Sequence, residues 1–305
     1  MAPDTTTTYE GRRLPRPEEE LVDQGLAFDV GTLMSRRRIL GVFGLGAVGV
    51  GLAACGAGTS SSSTGTVATA AGEIPDETPG PYPGDGSNGP DVLEQSGIVR
   101  SDIRTSFGDS SGTAEGVPMT LELTVNDLAN GGVPFDGVAV YIWHCTREGG
   151  YSMYSSGVED QNFLRGVQIA DSSGLVRFTS VFPACYDGRW PHIHVEVYPD
   201  QASITDSTKA IATSQVALPQ ATCERVYAQD GYEASPANLA WVSLSTDNVF
   251  GGDGGASQLG TVTGDVTSGL TVTLTVGVDT TTTPSGGGAP AGGPGGGGPG
   301  GAPPA

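Results

Sequence analysis

Two of the three histidines in the chain lie one residue apart, as His192 and His194. On a β-strand, side chains at positions i and i+2 point to the same face, so both imidazoles could reach one metal ion while Ile193 faces the other way. The alternative is a pair of solvent-exposed histidines on a sheet edge, and the short His-x-His pattern alone does not decide between them. The spacing therefore indicates a candidate metal site that needs further ligands.

A tyrosine precedes the histidine pair and could supply such a ligand. Tyr186 lies in a loop-like stretch just before the predicted strand, within reach of a metal ion at the start of that strand. A phenolate is a hard, anionic oxygen ligand, and it forms only when the phenol loses a proton with a reference pKa of about 10. A strongly polarising cation such as Fe(III) promotes that loss, whereas zinc prefers Cys, His and carboxylate ligands. The residue types therefore favour ferric iron.

The sequence around these residues resembles the intradiol ring-cleavage dioxygenases, the family that includes protocatechuate 3,4-dioxygenase and catechol 1,2-dioxygenase. The resemblance runs from residue 78 to about residue 218, and exported, lipoprotein-like bacterial members are the most similar subgroup. The motifs that carry it are Thr78-Pro79-Gly80-Pro81-Tyr82, Val140-Tyr141-Ile142-Trp143-His144, Gly150-Tyr151-Ser152, the stretch 179–186, and Arg189-Trp190-Pro191-His192-Ile193-His194.

The resemblance implies a single Fe(III) ion with four protein ligands. These ligands are Tyr151, Tyr186, His192 and His194. Tyr186 is expected to leave the metal when a catechol binds through both of its oxygens. Tyr154 is the alternative to Tyr151. Tyr151 is favoured because it follows Trp143 at the family's spacing.

The resemblance also implies a reaction. Arg189 matches the family's active-site arginine, a fixed cation beside the negative charge that develops on the ring carbon attacked by oxygen. Gln215 resembles the glutamine that follows the histidine pair and contacts the substrate. The implied activity is cleavage of a catechol-type ring between its two hydroxyl-bearing carbons. Both atoms of O2 would enter a muconate-type dicarboxylate.

Two other functions are compatible with parts of the pattern. One is a non-catalytic β-sandwich surface lipoprotein that binds a metal or a ligand without turnover. The other is a cupin-like oxygenase, because Glu196 would share a strand face with His192 and His194. No histidine follows His194 in the chain, and the cupin-like alternative leaves Tyr186 and Arg189 without a role.

The elements that must position these residues are short strands. Apolar or alternating runs predict strands at 117–125, 137–143, 166–170, 175–179, 192–198 and 270–278, with a weaker candidate at 261–266. Asp171-Ser172-Ser173-Gly174 has the turn chemistry of a hairpin between two of them. A short helical turn is predicted at 235–239. Many short strands with Gly, Pro and Asp turns predict an all-β fold, a single β-sandwich domain with long loops at 73–279.

The two ends of the chain differ from this predicted core. A run of arginines, an apolar stretch at 39–54 and then Cys55 follow the order of a twin-arginine export signal with a lipobox cysteine. We therefore expect residues 1–54 to be removed, Cys55 to carry lipid, and the protein to be exported and anchored to the cell membrane. The stretch 55–72 is predicted to be a flexible tether, and 280–305 a disordered Gly/Pro-rich tail.

The charge of the chain limits its partners. Acidic residues outnumber basic ones by 34 to 14, and the formal net charge is −20. Nucleic acids are therefore excluded as expected partners, and the membrane is expected to be reached only through the lipid on Cys55. The expected partners are a catechol-type small molecule and O2.

Three cysteines fall inside the predicted domain: Cys145, Cys185 and Cys223. If this domain is oxidised, the predicted disulfide joins Cys185 to Cys223 and leaves Cys145 buried and free. The reason is that a free thiol next to Tyr186 could compete for the iron or reduce it.

Overall fold

The computed structural model describes residues 72–284, together with the backbone of a short antiparallel pair, β1 (Thr8–Tyr9) and β2 (Arg12–Arg13). Apart from that pair, the predicted export signal at 1–54 lies outside the described residues, as do nearly all of the predicted tether and tail. No helix in the described part of the chain is long and apolar enough to cross a membrane.

Residues 72–284 form nine strands, two short α-helices and three single turns of 3-10 helix. In chain order the strands are β3 (Pro118–Asp127), β4 (Val133–Pro134), β5 (Ala139–Trp143), β6 (Arg165–Ile169), β7 (Leu175–Val181), β8 (His192–Tyr198), β9 (Ala212–Ala217), β10 (Thr261–Asp265) and β11 (Gly269–Val278). The α-helices are α1 (Gln220–Val226) and α2 (Ser235–Leu239). The 3-10 turns are Gln201–Ser203, Ser207–Lys209 and Phe250–Gly252.

The strands form two sheets that pack face to face. One has five strands, in the order β10-β11-β3-β4, with β7 also paired to β3; the other has four, in the order β6-β5-β8-β9. Within the first sheet, β11 runs parallel to β3. Side chains from both sheets, such as Leu121 of β3, Ile142 of β5 and Ile193 of β8, belong to one buried apolar cluster. The predicted all-β sandwich is therefore confirmed.

The four-stranded sheet is buried on its outer face as well. Every residue of β8 is buried, and its odd-numbered residues, such as Val195, join the cluster between the sheets. Its even-numbered residues, His192, His194, Glu196 and Tyr198, point the other way. Tyr198 packs there in a second cluster with Tyr141, Trp143 and Tyr151. Loops cover this outer face, and it carries most of the polar side chains described below.

The predicted strands are all present, and β8 has the predicted bounds. The helical turn at 235–239 is confirmed as α2. Sequence reasoning gave no bounds for β9 and missed the two-residue β4. It also missed α1, whose seven residues are too few to display a helical period.

The predicted hairpin across Asp171 and Gly174 is wrong. The turn itself forms, since Gly174 N donates to Asp171 O at 2.7 Å and Ser173 N donates to Asp171 Oδ1 at 2.8 Å. The strands on either side separate, however: β6 pairs with β5 in one sheet, while β7 pairs with β3 in the other. Turn chemistry fixes a local reversal, but it cannot say which distant strands the two arms will join.

The predicted disulfide is not formed. Cys145, Cys185 and Cys223 are all buried free thiols in the described chain. Burial raises the pKa of the Cys145 and Cys185 thiols to about 12, which disfavours the reactive thiolate.

Candidate metal centre

Four side chains converge above the outer face of the four-stranded sheet. His192 and His194 stand on β8, Tyr151 lies in the loop after β5, and Tyr186 lies in the loop between β7 and β8. Their terminal atoms form a closed ring of contacts. The edges are Tyr151 Oη to Tyr186 Oη, 3.4 Å; Tyr186 Oη to His192 Nε2, 3.2 Å; His192 Nε2 to His194 Nε2, 3.1 Å; and His194 Nε2 to Tyr151 Oη, 3.3 Å. The structure thus brings together the four predicted ligands.

The imidazole rings of His192 and His194 on β8 are held in different ways. His192 Nδ1 lies 2.5 Å from the carbonyl oxygen of Trp190, a contact in which Nδ1–H donates and Nε2 is left free to face the other three terminal atoms. His194 Nδ1 has no hydrogen-bond partner among the described residues. The His194 ring instead stacks on Trp143, with 4.7 Å between centroids and 5° between planes.

The loop that carries Tyr151 decides between the two candidate tyrosines. Tyr151 N donates to Ser155 Oγ at 2.7 Å, which closes the loop and leaves the Tyr151 phenol buried beside His194. Tyr154 is held elsewhere, since its hydroxyl accepts from Gly84 N at 2.9 Å and donates to Asn88 Oδ1 at 2.8 Å. The geometry favours Tyr151 over Tyr154.

Burial keeps all four groups uncharged in the absence of a metal. It raises the pKa of the Tyr186 phenol to about 12 and holds that of Tyr151 well above its usual value. It also lowers the pKa values of His192 and His194, which the positive charge of Arg189 lowers further. Metal binding at this site must therefore displace phenolic protons, which requires a strongly polarising cation.

Arg189 and Gln215 lie against the same site and contact each other. Arg189 Nη2 donates to Gln215 Oε1 at 2.7 Å, and Gln215 is paired with His194 in the register of β8 and β9. Arg189 Nε also donates to Asp247 Oδ2 at 3.0 Å. Sequence reasoning missed Asp247, because a single aspartate 58 residues further along the chain carries no local signal of this contact.

The segment 78–82 closes the site from above. Gln215 Nε2 donates to Thr78 O at 3.2 Å, and the ring of Tyr82 packs on that of Tyr151 with 4.9 Å between centroids. At Gly80, with φ +73°, a Cβ atom would lie 3.3 Å from His194 Cε1. The backbone passes so close to the histidine that glycine suits this position both sterically and conformationally.

Two other candidate residues lie outside the ring of four atoms. His144 is buried, with Nδ1 2.8 Å from Cys145 O and Nε2 2.7 Å from Ser180 Oγ, so both of its ring nitrogens have partners away from the four atoms. Glu196 shares the strand face of the two histidines, but it accepts a hydrogen bond from Tyr198 Oη at 2.8 Å. No group of three or more His, Cys, Asp or Glu side chains among the described residues is placed to hold a metal ion. The geometry therefore does not support the cupin-like alternative.

Comparisons with known proteins agree with this geometry. Residues 88–198 match the model of a family described as Dioxygenase. Catechol 1,2-dioxygenase of Pseudomonas sp. (strain EST1001) is 38% identical over 78 residues, which cover 26% of this chain and 25% of that protein. Chlorocatechol 1,2-dioxygenase of Rhodococcus opacus is 36% identical over 56 residues, 18% of this chain and 22% of that protein. The alignments thus span a quarter or less of these curated relatives.

Solved structures extend the likeness to most of the described core. An intradiol ring-cleavage dioxygenase from Tetranychus urticae superposes with a TM-score of 0.55 at 22% sequence identity, over 69% of this chain and 96% of that one. At this identity the likeness concerns the fold. The predicted resemblance to the family is therefore confirmed, whereas the lipoprotein-like subgroup stays a prediction: residues 88–198 match the Dioxygenase family, within a core that has the fold of the intradiol ring-cleavage dioxygenases.

Proposed function

We propose that the protein is a non-haem Fe(III) intradiol dioxygenase, which cleaves a catechol-type ring between its two hydroxyl-bearing carbons. The observation that carries the proposal is the ring of four atoms, two phenol oxygens and two imidazole nitrogens separated by 3.1 to 3.4 Å. Ligands that each lie about 2 Å from one ion are separated by about 3 Å. The spacing therefore fits a single metal ion.

The residue types fit iron in the ferric state. Two phenolates would offset much of the charge of Fe(III), whereas Fe(II) oxygenases use two histidines and a carboxylate. Fe(III), when bound by Tyr151, Tyr186, His192 and His194, would hold the two catechol oxygens and raise the reactivity of the ring towards O2.

Tyr186 is the ligand best placed to make room for substrate. It is only partly buried, whereas Tyr151, His192 and His194 are buried. A phenolate released from the site can accept a proton from a catechol hydroxyl, because the two phenols have similar pKa values in water. Tyr186 would therefore serve as both a ligand and a base.

Arg189 and Gln215 would act on the reacting ring. The Arg189 side chain is 15% exposed, and its hydrogen bond to Gln215 directs one end of the guanidinium towards the site. A fixed positive charge there stabilises the negative charge that builds up when oxygen attacks a ring carbon. Both oxygen atoms enter the product, so catechol and O2 balance a muconate-type dicarboxylate without an external reductant.

The test is purification of the protein, metal analysis, and incubation with catechol, protocatechuate and hydroxyquinol under 18O2. We expect about one iron per chain and a dicarboxylate that carries both labelled atoms. A semialdehyde product, which reports cleavage outside the diol, would contradict the proposal. So would an iron-loaded, folded protein that turns over none of the three. A metal-free, folded, inactive protein would favour the non-catalytic binding lipoprotein instead.

We also propose that the protein is exported and anchored through Cys55. The support is the order of arginines, apolar stretch and cysteine in the sequence, in a segment outside the described residues. Mass spectrometry of the mature protein should find an acylated Cys55 at the N-terminus. An intact N-terminus on protein recovered from the cytoplasm would contradict this location.

A further inference from the structure

Asp247 is a buried carboxylate that accepts hydrogen bonds from four other residues. It lies in the segment 243–258, after α2 and outside the residues that match the Dioxygenase family, and its side chain is 0% exposed. Oδ2 accepts from Arg189 Nε at 3.0 Å and from Trp190 N at 2.7 Å. Oδ1 accepts from Val249 N at 2.8 Å, from Phe250 N at 3.1 Å and from Arg189 Nη2 at 3.4 Å.

These partners make the buried charge tolerable. An unpaired buried carboxylate would cost several kcal/mol, and it is accepted only when ion pairing and hydrogen bonds replace the lost water. Burial raises the pKa of Asp247, but the Arg189 charge and the donated hydrogen bonds outweigh it and hold that pKa below its usual value. Asp247 is therefore a fixed anion directly behind Arg189.

The same segment also contacts β9, the strand that carries Gln215. Gln258 is fully buried, and its Nε2 donates to Gln215 O and to Ser214 Oγ, each at 3.2 Å. Its carbonyl oxygen accepts from Ala217 N at 2.8 Å. The segment 243–258 is thus attached to β9 at one end and to Arg189 at the other.

We propose that Asp247 is a positioning residue for Arg189, an inference that rests on the proposed function. The Asp247 carboxylate binds one edge of the guanidinium, with Oδ2 accepting from Nε at 3.0 Å and Oδ1 from Nη2 at 3.4 Å, and the same Nη2 donates to Gln215 Oε1 at the site. A carboxylate that holds the planar guanidinium along this edge fixes the direction in which Nη2 points. Without the Asp247 carboxylate, the partly exposed side chain is free to turn towards solvent, and its charge no longer faces the reacting ring.

The test is Asp247→Asn in the full-length, iron-loaded protein. The amide preserves size but loses the charge, and it presents an N–H to one of the donors. We expect an unchanged iron content and a kcat lower by about 10- to 100-fold, as is common for partners of active-site residues. KM should change much less, because the substrate oxygens do not contact Asp247. Asp247→Glu, which keeps the charge but moves the carboxylate, replaces it if Asn prevents folding.

Two comparisons separate positioning from general destabilisation. Asp253→Asn is the matched control: Asp253 lies in the same segment and accepts from Gly255 N at 2.8 Å, but it is exposed and should keep the wild-type kcat. In an Arg189→Ala background, Asp247→Asn should have no further effect on kcat, since its action runs through Arg189. Additive losses, or wild-type kcat in the single variant, would overturn the proposal.

A readout that does not need turnover keeps this inference apart from the proposed function. In a crystal structure of Asp247→Asn, the Arg189 guanidinium should no longer contact Gln215, or it should adopt more than one conformation. An unmoved guanidinium would overturn the positioning role. If the wild-type protein turns over no catechol, the proposed function fails, and the orientation of Arg189 still decides the role of Asp247.

Discussion

The two sheets of the sandwich use the same kind of backbone pairing in different surroundings. Along β3 in the five-stranded sheet, buried residues alternate with more exposed ones, as expected for a sheet with one face towards solvent. Along β8 in the four-stranded sheet, all seven residues are buried. Buried polar side chains need partners, and those on β8 meet tyrosines and other polar groups from loops. One sheet therefore serves mainly stability, and the other carries the site.

The largest expected effect is at the outer face of the four-stranded sheet. His194→Ala removes one of four proposed ligands, so the purified protein should contain little iron and show no measurable ring cleavage. Metal analysis and a catechol assay check both. Thr275→Ala, at an exposed position on β11, is the control and should keep both. Wild-type iron content in His194→Ala would contradict the proposed ligand set.

The next effect separates chemistry from metal binding on the same face. Arg189→Ala should keep the iron, because Arg189 is not a proposed ligand, but lower kcat by about 100- to 1,000-fold, as does loss of a donor that stabilises developing negative charge. Iron content and steady-state kinetics are measured on one preparation. Loss of iron would mean that Arg189 is needed to assemble the metal site, which would contradict the role proposed for it.

A substitution in the five-stranded sheet should lower stability and leave iron binding and kcat unchanged. Leu121 is fully buried in the cluster between the sheets, and Leu121→Ala should lower the free energy of unfolding by about 2–5 kcal/mol. Iron content and kcat of the folded molecules should stay near wild type. Urea denaturation measures the first quantity and kinetics at low temperature the second. A fall in kcat without unfolding would contradict the view that the five-stranded sheet serves mainly stability.

The smallest effect is a pH dependence next to the site. Glu77, whose N–H donates to Thr213 O on β9, has a pKa raised to about 7 by burial, although the Arg189 charge opposes this. The folded state therefore favours the protonated acid. Its contribution to stability is present at low pH and is lost as pH rises through about 7.

The unfolding temperature of the wild-type protein should accordingly fall between pH 5 and pH 8 more steeply than that of Glu77→Gln. Glu224→Gln, at an exposed position on α1, is the control and should follow the wild type. If the unfolding temperatures of wild type and Glu77→Gln change in parallel with pH, Glu77 does not cause this pH dependence.

The sequence predicted the chemistry better than it predicted the contacts across the fold. His192 and His194 could be assigned to one strand face because the period of a strand is local. Asp247 could not be found, because its contact with Arg189 depends on how a distant segment packs. The hairpin at Asp171 failed for the same reason. Resemblance named Tyr151 and Tyr186 and favoured Tyr151 over Tyr154 by its spacing, and the packed loops agree, since they hold the Tyr154 hydroxyl on Gly84 and Asn88.

The parallel pairing of β3 with β11 has a consequence for how the chain folds. Met119 lies beside Leu270 and Asp127 beside Val278 in that register, so β3 lacks one of its neighbours until β11 has been synthesised. Closing such a long loop costs entropy before any contact repays it, and folds rich in distant pairings form slowly. The five-stranded sheet therefore cannot be completed during synthesis of its first strands. During synthesis, β3 therefore has one edge whose backbone N–H and C=O groups are unpaired, and folding of this sheet must finish late.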